Sequence, residues 1–180
     1  GIPLPARAMK FAFREANRKV HDAGNQNERT SGMATTLTAA WFRDKRVFIG
    51  NTGDSRVYLI RSGRIHQLSH DHTSLAQASS DQPVLPDDME DWSSASISEH
   101  ELTRALGVNP DIEVQLAGGT PRPNDVFLLC TDGLYGEIRD FEIMESVKDT
   151  PPDLAAKNLI TLANQRGGKD NAAVVVVQVA

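Results

Sequence analysis

Three aspartates in this chain share a setting. Asp54 stands in Gly53-Asp54-Ser55-Arg56, Asp132 in Thr131-Asp132-Gly133, and Asp170 in Gly167-Gly168-Lys169-Asp170-Asn171. Each lies at the edge of a run of β-forming residues, so strands laid side by side would bring the three carboxylates to one end of a sheet. Hard oxygen ligands on a glycine-relaxed backbone are what Mg²⁺ or Mn²⁺ takes, usually keeping several waters. The same residues have a plainer reading. Aspartate bonds its own backbone and glycine supplies positive φ, so Asp beside Gly is also the chemistry of a turn. Composition does not decide between the two.

The other candidates are weaker. Gly167-Gly168-Lys169 has the lysine of a phosphate-cradling loop, but Asp170 follows where Ser or Thr is needed, and the motif's first glycine is missing. His70-Asp71-His72 offers two imidazoles to a transition metal, yet no third ligand has matching spacing nearby, and a hydrogen-bonded turn accounts for the triplet. Cys130 ends an apolar run and reads as a packing residue, not a nucleophile. Trp41 and Trp92 are too scattered to form a stacking platform.

Periodicity predicts the elements that must carry these acids. Ala6, Met9, Phe13, Ala16 and Val20 recur at three- and four-residue steps among basic residues, an amphipathic helix that ends by Gly24. A Thr-rich strand is predicted over residues 32–42. Further strands follow at Val47–Gly50, Val57–Ile60 and Ile65–Leu68, the last two joined by a Ser62-Gly63 turn. Residues 71–100 carry weak periodicity, acids around Pro86 and Met89 and a serine cluster, which reads as a polar excursion with a flap-like insertion at 73–100. Ile112–Leu116 alternates like a short strand, and Val126–Cys130 is a buried one. Thr150-Pro151-Pro152-Asp153 reads as a helix start with a hydroxyl N-cap, and Leu154, Leu159, Leu162 and Ala163 supply the apolar face. The run Ala172–Val179, with four consecutive valines, predicts a strand buried on both faces. Strands and helices come in blocks instead of alternating, which is the α+β pattern of antiparallel sheets with helices packed outside.

The bulk numbers bound the function. At 180 residues the chain is one domain, 1–180, and its 39% apolar and 24% charged residues are ordinary for a globular protein. No apolar run reaches the roughly 20 residues that span a bilayer. The single Cys130 leaves no internal disulfide, and the opening Gly1-Ile2-Pro3-Leu4-Pro5 lacks the features of a signal peptide, so a cytoplasmic setting is expected. A net charge of −5 repels nucleic-acid backbones, and no basic patch offsets it. The chain begins with Gly1 and enters a helical pattern at once, as a piece of a longer protein would.

Six segments in order resemble the successive motifs of one family. Gly32-Met33-Ala34-Thr35-Thr36, Gly53-Asp54-Ser55-Arg56-Val57-Tyr58, Asp71-His72-Thr73, Leu102-Thr103-Arg104-Ala105-Leu106-Gly107, Leu128-Leu129-Cys130-Thr131-Asp132-Gly133-Leu134 and Gly168-Lys169-Asp170-Asn171 are similar to those of bacterial-type type 2C Ser/Thr protein phosphatases. The resemblance implies an α-β-β-α sandwich of two antiparallel sheets flanked by helices. It implies metal-dependent hydrolysis of phosphoserine or phosphothreonine in proteins, with a metal-activated water as nucleophile and no phosphoenzyme. Two Mn²⁺ or Mg²⁺ ions, with a place for a third, are implied as cofactors, and substrates of a Ser/Thr kinase as partners. By residue, Asp132 and Asp170 match the carboxylates of the binuclear centre, and Asp54 matches an acid of a further, weaker metal. Asn171 would orient its neighbour, with Gly133 and Ser55 supporting. The chain departs from the pattern where the family carries, upstream of the first helix, a phosphate-gripping Arg, an acid near it and an Asp-Gly pair bridging both metals. None stands here, so the N-terminal strands are expected to be absent too. Thr131, Ala172 and Gly136 are smaller departures. Such a chain also suits a second role, a phosphatase-like module that binds a regulatory or phosphorylated partner without turnover.

Overall fold

A computed structural model describes residues 1–71, 85–93 and 105–180. Helix α1 spans Leu4–Gln26, and a short 3₁₀ turn at Glu28–Thr30 is capped by the Asn27 side chain, which accepts from the Arg29 and Thr30 N–H groups. Strands β1 (Leu37–Arg43), β2 (Arg46–Thr52), β3 (Arg56–Arg61) and β4 (Arg64–Gln67) follow as a series of antiparallel neighbours or turns, then β5 (Met89–Asp91), β6 (Gln115–Gly119) and β7 (Val126–Cys130). A single helical turn, α2 (Asp132–Tyr135), leads to α3 (Asp140–Val147), α4 (Pro152–Gln165) and the last strand, β8 (Val174–Gln178).

The strands form two four-stranded antiparallel sheets, ordered β1-β2-β6-β5 and β4-β3-β7-β8. Side chains alternate across each sheet with period two, and this alternation builds the layers. In β2, Phe48 meets Ala6, Met9 and Phe13 of α1, while Val47 and Ile49 turn the other way and meet Val57, Leu59 and Phe127 of the second sheet. In β3, Tyr58 and Ile60 face outward onto Ile143, Val147, Ala155, Leu159 and Ala163 of α3 and α4. Helix, sheet, sheet, helices is therefore the layer order, as the sequence resemblance implies.

Several expectations need correction. The strand predicted at Ile112–Leu116 lies at Gln115–Gly119. Gly118 is needed in that strand, because a Cβ would run into the Val47 carbonyl and stand 2.7 Å from the Trp92 ring. The Val174–Gln178 strand is not buried on both faces: it pairs with β7 alone among the described strands, and Val175 is 56% exposed. Thr150 does not cap α4; the N-cap is Pro151, and the Thr150 hydroxyl donates to the Lys148 carbonyl at 2.9 Å. Within the polar excursion, Met89–Asp91 is a sheet strand paired with β6. Residues 73–84 and 94–100 of the flap-like insertion lie outside the described residues.

Candidate active site

The register of the second sheet places all three aspartates at one end. Arg56 pairs with Cys130, and Cys130 with Val174, so the start of β3, the end of β7 and the start of β8 lie in a row. Asp54 stands just before the first of these, Asp132 just after the second, and Asp170 a short loop before the third. The first sheet contributes at the same end, where Leu37 pairs with Thr52. There the hydroxyls of Thr36 and Ser55 share a hydrogen bond of 2.9 Å that ties the two sheets together beside Asp54.

Local bonds fix each acid. The Gly133 N–H donates to Asp132 Oδ1 at 2.9 Å, and the Asn171 N–H donates to Asp170 Oδ1 at 2.7 Å. Both acids are otherwise solvent-exposed. Thr131 staples their two loops: its N–H donates to the Ala173 carbonyl at 3.2 Å, its hydroxyl donates to the Asn171 carbonyl at 3.3 Å, and it accepts from the Ala173 N–H at 3.0 Å. The hydroxyl makes the staple, so Thr serves where Ser is common in the family. Gly133 is required by close approach, since a Cβ there would stand 2.5 Å from the Asn171 carbonyl oxygen. Asp54 is partly buried, and burial first, then the charge of Asp132, raises its carboxyl above the ordinary 3.8. The Asp132 charge thus lies close enough to Asp54 to disfavour its ionisation.

Behind the acids sits a network that the sequence did not reveal as one. Arg56 grips Asp71 with Nε at 2.9 and 3.0 Å and Nη2 at 2.5 Å, and its Nη1 donates to Tyr58 Oη at 2.9 Å. Tyr58 in turn donates to Asp140 Oδ1 at 3.1 Å. The Arg56 guanidinium lies 3.7 Å from the centre of the Tyr135 ring, and Tyr135 donates to the Asp54 carbonyl at 2.9 Å. Burial raises both phenols above their ordinary 10, so each remains a donor at neutral pH. Arg56 and Asp71 belong to two of the motif segments; neither segment alone says that they pair across 15 positions. Asp71 is thereby a partner of Arg56, and His70 meets Asp91 at 3.4 Å, while His72 lies outside the described residues. Cys130 is buried as expected, and burial pushes its thiol up to about 12.

The donor set at this end is all carboxylate oxygen, which suits a hard divalent cation that retains waters. It is an open set: among the described residues, no group of three or more His, Cys, Asp or Glu side chains stands close enough to hold a metal ion. Asp54, Asp132 and Asp170 share one end of the sheet without closing into a three-acid cage. A separate cleft lies elsewhere. It has a volume of about 710 Å³ and is lined by Ile60, Ser62, Asn124, Val126, Val147 and Gln178 among others, at the opposite end of the same strands. Among the described residues, no helix is long and apolar enough to cross a membrane.

Comparison with known proteins bears on the family and the fold. The family model for Protein phosphatase 2C matches residues 4–77. The chain is 32% identical over 172 residues to the serine/threonine phosphatase Stp of Listeria welshimeri, which covers 94% of the chain and 66% of that relative. It is 32% identical over 171 residues to the serine/threonine protein phosphatase PstP of Mycobacterium tuberculosis, covering 95% of the chain and 32% of PstP. The chain thus spans a little under two thirds of the first relative and about one third of the second. Among solved structures, the catalytic domain of PstP in complex with two manganese ions superposes with a TM-score of 0.78 at 30% identity, over 99% of this chain and 72% of that domain. The Staphylococcus aureus phosphatase Stp1 superposes with a TM-score of 0.82 over 100% of this chain and 70% of that one; at 24% identity it speaks to the fold alone.

Proposed function

Because the chain belongs to the protein phosphatase 2C family, we propose that it carries the metal-binding acids of a phosphatase that hydrolyses phosphoserine and phosphothreonine in proteins. One observation carries the reading: Asp54, Asp132 and Asp170 stand in a row at one end of β3, β7 and β8. Asp132 and Asp170 would hold the divalent ions, with Asp54 serving a further one. Mn²⁺ is the first choice and Mg²⁺ the second, a preference supported by the two manganese ions of the PstP catalytic domain. Bound metal supplies an acidified water at neutral pH and neutralises charge developing on the phosphoryl oxygens, needed because monoester hydrolysis is among the slowest uncatalysed reactions, with accelerations of up to about 10²¹-fold.

This chain's own groups set the stage. The Gly133 and Asn171 N–H groups hold one oxygen of each acid, which fixes the carboxylate planes. The Thr131 staple keeps the Asp132 and Asp170 loops at constant separation, and the Thr36–Ser55 bond does the same for the two sheets beside Asp54. Phosphorylated proteins, the products of a Ser/Thr kinase, are the substrates proposed, in a cytoplasmic setting.

The test is phosphate release from a phosphothreonine peptide by the full polypeptide, with and without Mn²⁺, beside Asp132→Asn and Asp170→Asn. Metal-dependent release that each substitution abolishes is the expected result. Release that persists in both variants would overturn the assignment of these acids. Mn²⁺ binding without release would make the chain the non-catalytic binding module.

A further inference from the structure

Tyr135 touches neither of the two acids that the reading above places on the binuclear centre, yet it joins their surroundings to Asp54. It closes the helical turn that Asp132 opens, so the two side chains lie three residues apart on one face of α2. Its hydroxyl donates to the backbone carbonyl of Asp54 at 2.9 Å, across 81 positions of sequence. Its ring lies 3.7 Å from the Arg56 guanidinium, which Asp71 holds through both carboxylate oxygens. One side chain therefore spans the gap between the element that begins with Asp132 and the β2–β3 loop that bears Asp54.

We propose that Tyr135 is a positioning residue for metal binding: its hydroxyl locks the Asp54 backbone to α2 and thereby sets the separation of Asp54 and Asp132. The phenol is half-buried, and the donor–acceptor pair is neutral, so the bond holds its strength as salt rises. The ring and the hydroxyl have separate duties. The ring supports Arg56, whose grip on Asp71 holds the start of β3; the hydroxyl alone reaches Asp54. Removing the hydroxyl frees the Asp54 loop while the stack and the fold remain. The inference rests on the reading that Asp54 and Asp132 hold a cation.

Tyr135→Phe separates these duties, and Mn²⁺ binding by calorimetry on the full polypeptide reads the result. Partners one bond away from metal ligands typically cost 10–100-fold in affinity when removed, so Tyr135→Phe is expected to weaken the site containing Asp54 by about tenfold. Thermal stability without metal should stay close to that of the unsubstituted protein. Tyr58→Phe serves as the control: it removes a hydroxyl from the same network but leaves the Tyr135–Asp54 bond intact, and its Mn²⁺ affinity should not change. Equal weakening by both variants would show general loosening and overturn the proposal, as would unchanged affinity in Tyr135→Phe. Asp132→Asn tells the two failures apart. If it abolishes binding while Tyr135→Phe binds normally, positioning by Tyr135 is wrong and the metal reading stands; if it also binds normally, the metal reading itself has failed.

Discussion

At the scale of single residues, the candidate site brings like charges together at one end of a sheet, with the Arg56 guanidinium close by. Burial and the neighbouring Asp132 together raise the Asp54 carboxyl above 3.8. Replacing Asp132 by Asn removes the second cause and leaves the first. The Asp54 midpoint in the metal-free protein, followed by carboxyl NMR, should therefore fall in Asp132→Asn while remaining above the ordinary value. A midpoint that does not move would mean that the two carboxylates do not interact. The three aspartates were legible in the sequence because each carries its own signal, a glycine close by and a β run at its edge. Arg56, Asp71 and Tyr135 were not legible as a unit, because an arginine's choice among several acids is made by the fold that brings one of them within 3 Å. Thr131 shows the same limit: its identity reads as a small departure, and only the paired loops reveal that its hydroxyl is the working part.

At the scale of elements, the first helix was the easiest to read and still hid its most telling residue. Ala6, Met9 and Phe13 pack on Phe48 as their spacing predicts. One turn further, Asn17 is 1% exposed, a polar residue on an apolar stripe. Its amide accepts from the Gly107 N–H at 2.8 Å and donates to the Asn109 and Pro110 carbonyls at 2.9 and 3.0 Å, pinning to the helix a loop some 90 residues away. Three satisfied bonds explain why an amide is tolerated there, and no local pattern announces partners so distant. Asn17→Ala strands those backbone groups and should cost about 1–3 kcal/mol in urea unfolding. Phe13→Ala, which empties a large core position, should cost about 3–5 kcal/mol. The strand errors have related causes. β6 was misplaced because glycine is a poor strand former on its own and a good one beneath Trp92. The valines of β8 signal a strand but not whether a sheet continues beyond it, which pairing alone determines.

At the scale of the whole molecule, the second sheet has two ends with different duties. One end holds the aspartates; the other is braced by a network of ion pairs. Arg61, at the far end of β3 and 8% exposed, donates Nε to Asp125 Oδ1 at 2.8 Å, Nη2 to Asp125 Oδ2 at 2.5 Å and Nη1 to Asp88 Oδ1 at 2.5 Å. Asp88 leads into β5, so this one guanidinium ties the second sheet to the first, and Arg122 adds a bond to Asp88 at 2.9 Å. Burial opposes ionisation of Asp88, but the hydrogen bonds and charge of Arg61, helped by Arg122, outweigh it and hold the carboxyl below 3.8. The folded protein thus gives up this proton more readily than the unfolded chain does. The resulting stability is present in full above about pH 4 and is lost as pH falls through the lower folded value. Arg61→Met leaves Asp125, 2% exposed, without its countercharge, and removal of one partner from a buried ion pair costs about 3–5 kcal/mol. Denaturation of Arg61→Met beside the unsubstituted protein should show that deficit at pH 7 and a smaller one at pH 3, where the unfolded chain already takes up the Asp88 proton. A deficit equal at the two pH values would mean that Arg61 acts by packing its stem and not by its charge. Mn²⁺ affinity should be the same in both proteins, because the substitution lies at the end of the sheet that carries none of the three aspartates.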